Sequence, residues 1–190
     1  MQQPESLQSV AMRAVVELGC WEPDMVPRPI LPEMLTMEEN IRRRLTGSTY
    51  YDSRIDCYFD VDWFRGNWMF TARTNPYRSD RTKVEVHAGC HTAMSAEWAH
   101  LFGMGGTAAE HYGFNIDRTE INLERRTVDF FGTIPLYFEG GEKRFRSAFR
   151  FSHDNNTLDI TTMLMEGRNN QYKTIQERTL DRHCLSCPWC

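Results

Sequence analysis

Apolar residues recur at Leu7, Val10, Ala11, Ala14, Val15 and Leu18, the spacing of one face of a helix over residues 6–18. Pro23, Pro27, Pro29 and Pro32 follow and predict an extended connector from Cys20 to Pro32. A second helix is predicted over 33–46. Thr36 and Glu39 have the spacing of a capping box, Arg42, Arg43 and Arg44 suit a C-terminal turn, and Gly47 marks the stop. From residue 55 the period becomes two. Strands are predicted over 55–60, 67–74, 82–88, 119–123, 127–138, 143–151, 157–165 and 171–179. Glu139-Gly140-Gly141-Glu142 and His153-Asp154-Asn155-Asn156 read as hairpin turns. The alternation fails from His91 to Gly106, where a short helix over 93–102 leads into a loop with Gly103, Gly105 and Gly106.

The strands can be assigned faces. Trp68, Phe70 and Ala72 share one, against Asn67, Met69 and Thr71. Phe145, Ser147, Phe149 and Phe151 oppose Arg144, Arg146 and Arg150; Leu158, Ile160, Thr162 and Leu164 fall together, as do Tyr172, Thr174, Gln176 and Arg178. Successive hairpins with one apolar face predict a mainly β chain, an up-and-down antiparallel β-barrel preceded by two short helices. A flat sandwich and a curved sheet covered by helices are the alternatives. The chain divides into N-terminal helices with a Pro-rich connector (1–54), the barrel (55–180) and a Cys-rich tail (181–190). Phe70, Val84, Val86, Phe149, Ile160, Thr162 and Tyr172 are the expected lining of the interior. An eight-strand barrel has room for one small ligand. This lining suits an apolar, ring-bearing molecule such as a carotenoid or another isoprenoid.

Composition narrows the function. The 190 residues suffice for one domain with a real core. Lys and Arg number 22 against 26 Asp and Glu, a net charge of -4, without the basic excess that nucleic-acid binding calls for. No apolar run is long enough for a transmembrane helix, and the N-terminus has no secretory signal pattern, so a soluble chain is expected. Of six cysteines, Cys20, Cys57 and Cys90 are scattered while Cys184, Cys187 and Cys190 crowd the end; their pairing is open.

The stretch Phe59-Asp60-Val61-Asp62-Trp63-Phe64-Arg65-Gly66-Asn67-Trp68-Met69-Phe70-Thr71-Ala72-Arg73 holds an aromatic, a Gly-x-Trp and an Ala-Arg. It resembles the opening block of the lipocalins, whose first barrel strand begins there. Gly66 would allow a close backbone approach and Trp68 would plug one end. The resemblance also implies a last-strand Arg packed over that Trp, and Arg178 is the match, stacking guanidinium on indole. One lipocalin branch, the lipocalin domain of violaxanthin de-epoxidase, is similar in more places: Asn75-Pro76 after the Gly-x-Trp, Gly167-Arg168-Asn169-Asn170 before the last strand, and Phe145-Arg146-Ser147-Ala148 within a middle strand. That likeness implies an acid at Asp80, a xanthophyll epoxide substrate, an ascorbate-type reductant and a plastid thylakoid lumen location. The Tyr of that branch has no counterpart before Gly167; Glu166 and Tyr172 are the nearest residues.

Two function classes follow: a carrier of an apolar ligand, and a xanthophyll de-epoxidase-like oxidoreductase. The discriminator is an acid inside the apolar pocket. His87, Cys90 and His91 lie close in sequence, but nothing makes them converge as metal ligands must, and no metal is expected. Cys187-Pro188-Trp189-Cys190 has redox-dithiol spacing without a following helix, and a tail thiol cluster is the simpler reading. Nucleophile-elbow, phosphate-loop and zinc-protease motifs do not occur.

Overall fold

The computed structural model describes residues 6–18, 21–74, 82–87, 92–94, 96–105, 107–135, 141–166 and 171–183. Two helices, α1 (Leu7–Leu18) and α2 (Leu31–Leu45), flank a 3-10 turn at Pro23–Met25. Then come β1 (Ser48–Asp52), β2 (Cys57–Phe64), β3 (Asn67–Arg73), β4 (Thr82–His87) and β5 (Thr92–Met94). Two short helices follow, α3 (Ala96–Leu101) and α4 (Ala108–Tyr112). The chain continues as β6 (Phe114–Asn122), β7 (Thr127–Pro135), β8 (Glu142–Phe151), β9 (Thr157–Glu166) and β10 (Gln171–Arg182). No described helix is long and apolar enough to cross a membrane.

All ten strands form one antiparallel sheet in the order β4-β3-β2-β1-β10-β9-β8-β7-β6-β5. This is the up-and-down order that the hairpin pattern predicts, in one sheet and not the two of a sandwich. The only neighbours distant in sequence are β1 and β10, joined at Tyr50↔Arg182 and Tyr51↔Asp181. Among the described residues no ladder joins β4 to β5. The sheet nonetheless curls over itself. Phe70 on β3 lies 5.7 Å from Phe130 on β7 and 6.2 Å from Phe149 on β8, ring centre to ring centre, although these strands are far apart in the sheet order.

Several local expectations change. The sheet begins at Ser48, within the stretch read as preceding the barrel. Three of its first four residues are buried on both faces of the strand, so no alternation betrays it. The Gly-x-Trp block is the β2–β3 hairpin, the second and third strands of the sheet and not the first. Phe64 faces Asn67 across a two-residue loop in which Arg65 (φ 47°) and Gly66 (φ 78°) are both left-handed. That is the geometry of a type I′ turn, and it is what Gly66 is for. Helix α2 starts two residues earlier than expected, with Pro32 at its head, so Thr36 is interior and donates its hydroxyl to the Pro32 carbonyl (2.8 Å) instead of capping. The Asp154-Asn155 turn between β8 and β9 forms, with Asn155 at φ 58°. Helix α1 buries Met12 and Val16, neither of them on the predicted face, whereas Leu7, Val10, Ala11, Ala14 and Val15 of that face are exposed.

Candidate functional site

The interior of the curled sheet is aromatic. Phe70, Phe149, Ile160 and Thr162, all expected to line it, are buried there with Trp68, Phe114, Phe130 and Phe145. Val84 and Val86 stand in register with Phe70 and Trp68 on β3. Tyr172 does not line the interior. A bulge between Thr174 and Gln176 adds a residue to β10, so Gln176 and Arg178 pair with the inward Thr162 and Ile160 while Tyr172 pairs with Met165. Its ring is on the outer face, 39% exposed.

The centre is filled by a segment that belongs to no strand. Trp98 and Leu101 on α3, followed by Phe102 and Met104, are fully buried. The Phe102 ring lies 5.4 Å from Phe70, 5.3 Å from Phe114 and 5.1 Å from both Phe130 and Phe149, mostly edge to face. Its carbonyl accepts from the hydroxyls of Ser147 (2.9 Å) and Thr162, whose oxygens stand 3.0 Å apart. Gly103 follows at φ 70°, and a Cβ there would come within 2.6 Å of Thr162 Oγ1, so a larger residue would push the segment off the strands. Sequence reading found the Gly-rich loop but not its place: polar Ser147 and Thr162 on otherwise apolar faces were the available signal.

One end of the interior is polar. Arg178, on β10, makes an ion pair with Asp52 at the end of β1, and both side chains are 3% exposed. Asp52 also accepts from the Arg54 amide at 3.1 Å. The amide of Gln176, oriented by its partners, donates to the Gly103 carbonyl (2.5 Å) and accepts from Arg54 Nη1 (3.0 Å). Burial pushes the Arg178 pKa down to about 10, against the upward pull of Asp52. Its Nε and Nη2 are buried without an acceptor.

Arg178 does not stack on Trp68. Trp68 faces Trp63, beyond the Ser48 end of β1, whereas Arg178 lies beyond the Asp52 end. The arginine answers a buried carboxylate, and Trp68 instead meets the edge of Phe130 at 5.5 Å. The indole N–H groups of Trp63 and Trp68 are also buried without acceptors. Buried donors without partners are uncommon in native proteins. Here they stand at both ends of an apolar interior.

Asp80, Asn75-Pro76, Gly167-Arg168-Asn169-Asn170 and residues 184–190 of the Cys-rich tail lie outside the described residues, as do Cys20, Cys90 and His91, while Asp181 and Arg182, read as tail, end strand β10. Among the described residues no three His, Cys, Asp or Glu side chains gather as metal ligands would. The chain matches no protein-family profile, no characterised protein and no solved structure in comparisons with known proteins.

Proposed function

We propose that the chain is a lipocalin-like carrier that takes a small, elongated apolar molecule of carotenoid or isoprenoid type into its curled sheet, the edges β4 and β5 meeting to close a barrel around it. The observation that carries this reading is the set of orphaned donors, Trp63 and Trp68 Nε1 at one end and Arg178 Nε and Nη2 at the other, with phenylalanines between them. Each orphan costs about 1–3 kcal/mol, a cost that an acceptor on a ligand removes. An apolar body with an oxygen at each end, as in a hydroxylated carotenoid, meets that demand. Phe102 occupies the place of the body. It is carried by the loop after a six-residue helix, and that segment must yield for the ligand to enter.

The test is uptake of zeaxanthin, which carries a hydroxyl on each ring, and of the hydrocarbon β-carotene, followed by tryptophan quenching. The expected result is saturable one-to-one binding of zeaxanthin, tighter in Phe102→Ala, with β-carotene bound at least about tenfold more weakly for want of the two acceptors. No saturable uptake of either by the native chain or by Phe102→Ala would remove the proposal.

A further inference from the structure

A second site is built where three elements meet outside the curled sheet. The last turn of α2 brings Arg43 and Arg44, the β6–β7 turn brings Arg126, and the β8–β9 turn brings His153 and Asn155. They surround a pocket of about 430 Å³. The junction is fixed by backbone-directed bonds. Arg44 Nη1 donates to the Leu123 carbonyl (3.2 Å), and Arg126 Nη2 to the Arg44 carbonyl (2.6 Å) and to Asn155 Oδ1 (2.5 Å). Asn155 Nδ2 donates in turn to the Arg43 carbonyl at 3.4 Å.

Among the described residues none of Arg43, Arg44 and Arg126 forms an ion pair. Two carboxylates, Glu124 and Asp154, also line the pocket, and neither forms an ion pair with the three arginines. Glu124 is exposed, and Asp154 is committed to Ser152 Oγ (2.7 Å), the Asn156 amide (3.1 Å) and Asn156 Nδ2 (2.6 Å). Arg126 Nε is buried with no acceptor. Burial, and then the like charge of Arg44, hold the Arg126 pKa below its usual value, although Tyr50 and Asp154 pull it part of the way back. A helix end gains from one or two cations beside its last carbonyls. A third arginine from a different element, lining the same pocket, is more than the helix needs.

We infer that this pocket binds a phosphate group, seated on Arg43, Arg44 and Arg126. Three arginines from two elements lining one pocket suit a tetrahedral dianion with three peripheral oxygens better than a planar carboxylate, which one arginine satisfies. The volume exceeds that of the phosphate, so it accommodates the first atoms of an ester. A soluble phosphomonoester and a phosphomonoester lipid headgroup offer the same chemistry.

The experiment is calorimetric titration of the full chain with phenyl phosphate at constant ionic strength, beside sedimentation with phosphatidylcholine vesicles carrying phosphatidic acid. The expected result is saturable one-to-one binding, weakened about tenfold or more by Arg43→Gln, whose side chain bonds only Asn40 on its own helix. Arg42→Gln removes the same charge one residue away, outside the pocket, and is expected to change binding less than about twofold. Loss of binding in Arg43→Gln with phenyl phosphate supports the pocket with a soluble source; loss with vesicles alone supports it with a lipid source. Absence of saturable binding to both probes, or equal weakening by the two variants, would overturn it, the second because net charge alone would then explain the attraction.

Discussion

The two parts of the interior solve opposite problems. Around Phe102, rings meet edge to face and its buried carbonyl is answered by two hydroxyls. At the Asp52 end, a carboxylate is fully answered while its arginine keeps two N–H groups unanswered. An apolar region tolerates rearrangement if volume is conserved, whereas a buried charge tolerates none that removes its partner. Stability thus resides in the first region and chemical demand in the second.

The strongest challenge to that contrast is Phe102→Ala. It empties the middle of the aromatic cluster and is expected to cost about 3–5 kcal/mol, read as a lowered midpoint in urea. A loss under about 1 kcal/mol would mean that the segment is not part of the core. Next comes Asp52→Asn, which leaves a buried arginine without its counter-charge and is expected to cost about 3–4 kcal/mol. Asp52→Leu combined with Arg178→Met is expected to recover most of that, as apolar replacements of buried pairs do. If the double variant is no better than the single, the polar end contributes more to stability than the contrast allows.

Titration gives the smallest and sharpest difference. Tyr50, buried and 6.2 Å from Phe151, has its pKa pushed up to about 12 by burial. Its folded value lies above the unfolded one, so its stabilising share is complete below pH 10 and disappears as pH rises toward 12. Arg178 works in the opposite sense. Its folded value, about 10, lies below the unfolded one, so the fold gains as pH rises above 10. Relative to the native chain, Tyr50→Phe is expected to gain about 2–3 kcal/mol between pH 10 and pH 12 and Arg178→Met to lose a similar amount. Parallel curves for all three proteins in alkaline unfolding would show that neither group titrates out of its buried setting.

Most of the strands were legible because each hairpin from β6 to β10 alternates against its neighbour, and local pattern is all such a meander needs. What escaped was non-local or irregular. The extra residue near Ile175 reverses every face N-terminal to it, and nothing in the run from Tyr172 to Arg178 announces it. Strand β1 is covered on both sides and reads as a loop. Arg178 was legible as an inward arginine but not as the partner of Asp52, since the two are 126 residues apart and meet only through β1–β10 pairing. The place of Phe102 was hidden for the same reason: its neighbours come from β3, β6, β7 and β8.

The seam between β1 and β10 has a consequence for how the molecule is made. On either side of it, every strand pairs with the one next to it in sequence, so β1–β4 and β5–β10 can each zip through short loops. Joining them requires a loop spanning most of the chain to close, and it brings no hairpin to guide the register. The seam is therefore the late step of folding. The Asp52–Arg178 pair is buried only when β1 meets β10 in the correct alignment, and a slip by one residue would turn the arginine away from the carboxylate. The ion pair thus favours the correct register, and a contact made after the rate-limiting barrier is expected to show, on its removal, as faster unfolding with the folding rate unchanged.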